Sequence, residues 1–130
     1  PNVRFLVVDS VGKTIHAVEE MAATLGLHNV TVIHGGVEDD VVLRKHAGKA
    51  DLVTARAVTR LEALVRWSRA LLAPKGTRRL VVWKGGDLRE EIDEARRKPM
   101  LAGVKERSID IPGEAMFRTE DKKLLDVLFR

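Results

Sequence analysis

Cysteine is absent from the 130 residues. That excludes a disulfide scaffold, a thiolate zinc site and a cysteine nucleophile, and it suits a reducing cytoplasm. Tyrosine is absent too, and Phe and Trp together make only 4% of the chain, so a sheet that stacks bases on Phe and Tyr is not expected. No apolar run approaches the ~20 residues a membrane span needs, and no charged-then-apolar leader opens the chain, so no membrane contact is expected. His16, His28, His34 and His46 show no metal-ligand spacing, which leaves no metal site to expect. An excess of one charge is nearly lacking: 23 Lys and Arg against 19 Asp and Glu leave +4, a mild lean toward a polyanionic partner. What is present is globular. At 45% hydrophobic and 32% charged, residues 1–130 suffice for one compact domain and are too few for two.

The hydrophobic period sets the order of elements. Arg4-Phe5-Leu6-Val7-Val8 is a short apolar run, as in a strand buried on both faces. Val11, Ile15, Val18, Ala22 and Leu25 then recur at helical intervals, with Asp9 or Ser10 to cap the start and Gly26-Leu27 to close the end. Residues 30–34 form a second strand, and the polar stretch 38–49 holds at most a short helical turn. A third strand is expected at 51–54. A helix with Leu61, Leu64, Val65, Ser68 and Leu72 on one face follows, opened by the capping box Thr59-x-x-Glu62. A fourth strand covers 80–83, and a shorter helix begins at Asp87, with Asp93–Arg97 and Glu94–Lys98 spaced for i,i+4 pairs. The tail reads as two strands, 104–111 and 122–129, with no helix between them. Strand–helix repeats imply a parallel sheet, which the final antiparallel pair makes mixed.

Several strand ends carry chemistry, each with a plainer alternative. Val11-Gly12-Lys13-Thr14 resembles the end of a phosphate loop, but the earlier glycine that such a loop needs is replaced by Val7, inside the strand. Lys13 is therefore read as a solvent-facing lysine. Asp9 either accepts hydrogen bonds from a ribose diol, as a carboxylate at a strand's carboxyl end does in doubly wound sheets, or simply caps the helix. Gly35-Gly36-Val37-Glu38 either lets backbone approach a flat ligand or is only a turn. Arg56 and Lys84-Gly85-Gly86 also end strands, where open α/β sheets bind ligands, although a lone arginine there is commonly a surface ion-pair partner. Arg78-Arg79, Arg96-Arg97-Lys98 and Lys122-Lys123 are either solvated faces or phosphate contacts. No Ser/His/Asp set or nucleophile elbow is found.

Taken in order, these segments resemble the RsmG (GidB) family of S-adenosylmethionine-dependent methyltransferases acting on small-subunit (16S) rRNA. Residues 5–13, with Asp9-Ser10 and Lys13, are similar to its "LLDSxxK". Leu25-Gly26-Leu27-His28-Asn29-Val30 is similar to "LGLxNV", and Gly36-Val37-Glu38-Asp39 to "R(A/V)EE". Residues 51–58 are similar to "FDxVxxRAV", Trp83-Lys84-Gly85 to "LKG", and Ile111-Pro112 with the last strand to the family's tail.

The resemblance implies a three-layer Rossmann-like (class I methyltransferase) fold. Its mixed sheet would have a C-terminal antiparallel strand pair, with the first strand missing. It implies S-adenosylmethionine as cofactor, held by Val37 and Glu38 near the adenine, by Asp9 near the ribose and by Arg56. It further implies methyl transfer to guanine N7 of rRNA, with no catalytic residue because that nitrogen carries no proton to remove. Lys13 and Lys84 are the expected phosphate contacts. Gly36 stands where the family has arginine. The family's "GxGxGxPG" loop and the strand before it lie upstream of the point matched by Pro1. That missing strand belongs between residues 4–8 and 51–54, so the gap is expected to be filled by direct pairing of those two strands, by a partner chain, or by another segment. The alternative is a non-catalytic, truncated methyltransferase-fold module that self-associates or needs an upstream segment.

Overall fold

The computed structural model describes residues 2–56 and 59–130, with the backbone alone at 117 and 118. Pro1, and Ala57 and Val58 of the third motif, lie outside the described residues. The elements run β1 (Phe5–Asp9), α1 (Gly12–Thr24), β2 (Val30–His34), α2 (Asp40–His46), β3 (Leu52–Arg56), α3 (Leu61–Leu71), β4 (Arg79–Gly85), α4 (Arg89–Arg96), β5 (Leu101–Ser108), α5 (Met116–Thr119) and β6 (Lys122–Phe129). The chain divides into two compact units, 1–45 and 46–130. Among the described residues no helix is long and apolar enough to cross a membrane.

In the first unit β1 and β2 pair in parallel, from Phe5 opposite Val30 to Asp9 opposite His34. The helix expected between them is there, with Ile15 buried on its inner stripe. Its end is the glycine motif expected. Gly26 takes a φ of +64, its N–H donates to the Ala23 carbonyl, and the Leu27 N–H donates to that of Ala22. Its start differs. Val11 is the N-cap and makes no side-chain cap bond; Asp9 Oδ1 instead accepts the Val11 N–H at 2.8 Å, one step outside the helix. The polar stretch holds α2, which Asp39 caps by accepting the Val41 N–H through Oδ1.

The second unit is a four-stranded mixed sheet in the order β3-β4-β6-β5. β3 and β4 are parallel, and β6 runs antiparallel between β4 and β5. The last strand therefore sits inside the sheet, which explains why both of its faces are largely apolar. One face packs Leu80, Val82, Leu125 and Val127 against Leu61, Leu64 and Val65 of α3 and Ile92 of α4. The helical stripe read in the sequence is this contact. The opposite face carries Asp126, 5% exposed. Arg79 holds it through two hydrogen bonds of 3.1 and 2.8 Å, and Arg107 adds a third at 3.5 Å. Ionised acids are seldom buried unpaired, and these two arginines supply the countercharge.

Four local expectations are corrected. A short helix, α5, does separate the last two strands, and β5 covers 101–108 rather than 104–111. The pairs Asp93–Arg97 and Glu94–Lys98 give way to links between helices: Arg60 to Glu94 at 3.0 Å and Lys98 to Glu62 at 2.6 Å. With Glu62 so engaged, the Thr59–Glu62 capping box does not form, and α3 has Arg60 as N-cap without a side-chain cap bond. β1 belongs to a two-stranded sheet with β2 alone, and β3 is an edge of the four-stranded one. Phe5 is 53% exposed and Leu52 is 52% exposed.

What caps α3 is Glu91, thirty residues away. Its Oε2 accepts the Leu61 N–H at 2.8 Å and the Lys84 ammonium at 2.5 Å. Lys84 Nζ also donates to the Thr59 carbonyl at 3.1 Å. One carboxylate thus joins the start of α3, the end of β4 and the first turn of α4. Burial pushes the Glu91 carboxyl up, but the Lys84 ammonium, the Leu61 N–H and the Arg60 charge outweigh that and hold it below its ordinary value of 4.5.

Removing one partner strands a charge in a poorly solvated place. Glu91→Ala is expected to cost about 3 kcal/mol in urea unfolding. Lys84→Met combined with Glu91→Leu is expected to cost less than the sum of the single changes. A carboxylate held below its ordinary value adds stability that is fully present above 4.5 and disappears as the pH falls through its lower, folded value. The stability difference between the parent chain and Glu91→Gln should therefore be flat near neutrality and shrink in acid. A difference that widened in acid would contradict this account.

Candidate functional site

In the first unit the in-register pairing of β1 and β2 puts their carboxyl ends side by side. Asp9 lies opposite His34, and the Gly35 N–H extends the ladder by donating to the Asp9 carbonyl at 2.9 Å. Asp9 and the turn of residues 35–38, two of the features expected in the donor site, therefore meet at one end of this sheet. Asp9 keeps one oxygen in hand: Oδ1 binds the Val11 N–H, and Oδ2 takes no hydrogen bond among the described residues. A carboxylate at a strand's carboxyl end is the group that accepts bonds from a ribose diol.

The turn after β2 closes through the Asp39 N–H, which donates to the Gly36 carbonyl at 3.0 Å. Val37 is half-buried and Glu38 exposed. An added Cβ at Gly36 would stand 2.5 Å from Glu38 Cδ and 2.6 Å from its Oε2, the far end of a flexible side chain that can turn away. The Glu38 carboxylate folds back into the space that a larger side chain would claim. His34 closes the same end. Its Nε2 lies 3.1 Å from the Ser10 carbonyl, and its ring packs so closely on Gly12 that a Cβ there would be 3.2 Å from Cε1. Lys13 is exposed, next to the start of α1. It is placed as a solvent-facing lysine.

In the second unit Arg56 is the exposed last residue of β3 and lies opposite Trp83. Because side chains alternate along a strand, Arg56 and Trp83 leave the face away from α3 and α4, while Lys84 leaves the face toward them. That alternation decides the fate of Lys84. Its side chain is 11% exposed and its ammonium is held by Glu91 and Thr59, so the phosphate contact expected of it is corrected to a structural role. Arg56 also lines a cavity of about 120 Å³ with Trp83, Gly85 and residues of α5 and β6. Glu120 of that cavity was not singled out in the sequence, while Lys122 belongs to the basic pair read there as a solvated face or a phosphate contact. No local spacing joins the two to this cavity, since register alone brings Lys122 opposite Gly85.

Among the described residues no group of three His, Asp or Glu side chains gathers as a metal site does. What both units offer is polar groups at the carboxyl ends of parallel strands, a geometry for holding a ligand rather than for attacking one.

Comparison with known proteins names the relatives of this arrangement. Residues 1–119 match the family model of rRNA small subunit methyltransferase G (GidB). The chain is 31% identical over 122 residues to the ribosomal RNA small subunit methyltransferase G of Lactobacillus helveticus, covering 92% of this chain and 50% of that one. It is 35% identical over 116 residues to that of Corynebacterium glutamicum, covering 89% and 51%. The chain thus spans about half the length of the curated relatives it matches. Among solved structures it is similar to M. jannaschii TYW2 in complex with AdoMet, with a TM-score of 0.68 and 16% identity over 100% of this chain and 58% of that one. A putative rRNA-methylase from Clostridium thermocellum gives a TM-score of 0.65 and 19% identity, covering 97% and 72%. These folds are Rossmann-like, as the resemblance implies. With the match running from β1 into α5, the chain belongs to the rRNA small subunit methyltransferase G family.

Proposed function

We propose that this chain is the donor-holding part of a methyltransferase that acts on guanine N7 of small-subunit rRNA. The observation that carries the reading is the meeting of Asp9 with the Gly35–Glu38 turn at one end of the β1–β2 sheet, in a chain of this family. Asp9 would take the ribose diol through its unengaged Oδ2, and Val37 and Glu38 would lie along the adenine. Arg56, on the second unit, is the further donor-binding residue proposed. The residues fit the adenosyl half of the donor; none is assigned to its methionine half. S-adenosylmethionine, when bound, supplies an already activated sulfonium methyl.

The chain's own contribution is alignment. Guanine N7 has a free lone pair and no proton, so neither a general base nor a nucleophilic side chain is needed. Lys13 is the proposed phosphate contact, since Lys84 is engaged with Glu91. An RNA held through such contacts dissociates steeply with added salt.

A second reading, that of a non-catalytic module that self-associates, is favoured by one observation. β1 and β3 each have a single strand partner and carry exposed Phe5 and Leu52. Uncovered edges of this kind invite pairing with another chain.

Titration calorimetry separates the two. The first reading expects S-adenosylmethionine to bind in the micromolar range, with Glu38→Ala and Arg56→Ala each weakening binding roughly tenfold or more, about 1.4 kcal/mol. A silent titration at millimolar donor, together with a dimer in light scattering, would replace it by the second.

A further inference from the structure

The cavity at the carboxyl ends of β3 and β4 is built by the second unit alone. Arg56 and Trp83 stand opposite each other across the β3–β4 ladder, on the face away from α3 and α4. Met116 and Glu120 come from α5 and its end, and Lys122 from the start of β6. The corner between β4 and β6 is tightly made. The Gly86 N–H donates to the Asp121 carbonyl at 3.3 Å, and Asp121 takes a φ of 51, a left-handed conformation that few residues other than Gly, Asn and Asp accept. Lys123 Nζ ties the same corner together, donating to the Gly86 carbonyl at 3.2 Å and facing the Asp121 carboxylate at 3.3 Å. Gly85 lies against this corner, where a Cβ would be 3.2 Å from Lys122 Cδ and 3.4 Å from the Asp121 carbonyl. Lys122 Nζ lies 4.0 Å from Glu120 Oε2.

The lining has a particular chemistry. An indole and a thioether offer apolar, polarisable walls of the kind on which a base packs. Glu120, 54% exposed at its side chain, offers a carboxylate that only accepts hydrogen bonds. Lys122 offers a cation beside it. A planar ligand with two adjacent N–H donors and a nearby phosphate satisfies all three. Guanine has that edge, with N1–H next to the N2 amino group. Adenine sets an unprotonated N1 beside its single amino group and would turn a lone pair toward the carboxylate.

We propose that this cavity is a guanine-nucleotide subsite. Glu120 accepts guanine N1–H and N2–H, Trp83 and Met116 flank the base, and Lys122 meets its phosphate. Arg56 lines the cavity from the β3 side. The subsite rests on the reading above in one respect, that guanine is the base acted upon, and it leaves N7, on the other edge of the base, uncovered by Glu120. Enzymes that modify a base read it in this way, by its Watson–Crick edge and by packing on both sides.

The test uses 5′-GMP and 5′-AMP as probes, without methyl donor, on the 130-residue chain labelled with 15N. Its two tryptophans give two indole N–H signals, and Trp83→Phe assigns them. GMP is expected to move the Trp83 signal and to bind about tenfold more tightly than AMP, the discrimination that one pair of hydrogen bonds to a carboxylate supplies. Glu120→Gln, a change at an exposed side chain that leaves the fold intact, should bring the two nucleotides within about twofold of each other. The proposal is overturned if GMP and AMP bind the parent chain equally, if Glu120→Gln keeps the preference, or if neither nucleotide shifts Trp83. The two readings fail separately. A guanine preference with no donor binding would sink the methyltransferase reading and keep the subsite, while donor binding without the preference would do the reverse.

Discussion

One carboxylate, that of Glu91, holds the second unit in register. Its bonds to Lys84 and to the Leu61 N–H join a strand end to two helix starts. Helix packing over a sheet leaves sliding motions cheap unless a directional contact fixes the axial position, and apolar contacts among Leu61, Leu80 and Ile92 are not directional. A charge-assisted pair away from water is directional and is weakened by small displacements. Arg60 with Glu94 and Lys98 with Glu62 repeat the link at the solvent edge, where each contributes far less. The carboxyl ends of β3 and β4 are therefore held steady where Arg56 and Trp83 emerge.

The second constraint is the insertion of β6 between β4 and β5. It turns the last eight residues of strand into the interior of the sheet and brings Lys122 beside Gly85. It also makes Asp126 a buried acid, answered by arginines from both neighbouring strands. β6 is a core element, with Leu125 and Val127 without exposed surface.

The candidate site was legible to different depths. Asp9, Val37 and Glu38 stand near strand ends whose apolar runs are plain in the sequence, and parallel pairing alone brings the ends of β1 and β2 together. Lys84 was misread because its neighbours Gly85 and Gly86 mark a strand end, while strand alternation turns its side chain inward toward Glu91. The Thr59–Glu62 box failed for a related reason. Glu62 found a fixed cation in Lys98, and the distant Glu91 supplied the cap instead. Glu120 carried no signal and Lys122 only that of a basic pair, since their meeting with Trp83 depends on which strand β6 pairs with.

Local physics was written plainly in the order of residues. The strand runs, the stripe of α3, the glycine end of α1 and the family's short motifs all depend on neighbours within a few positions, where backbone geometry sets the spacing. Partners lay beyond that reach. Which acid caps α3, which face Lys84 takes and what closes the cavity around Trp83 are settled by contacts across tens of residues. Several partners of equal chemistry compete for each such group, and only packing of the whole sheet decides among them.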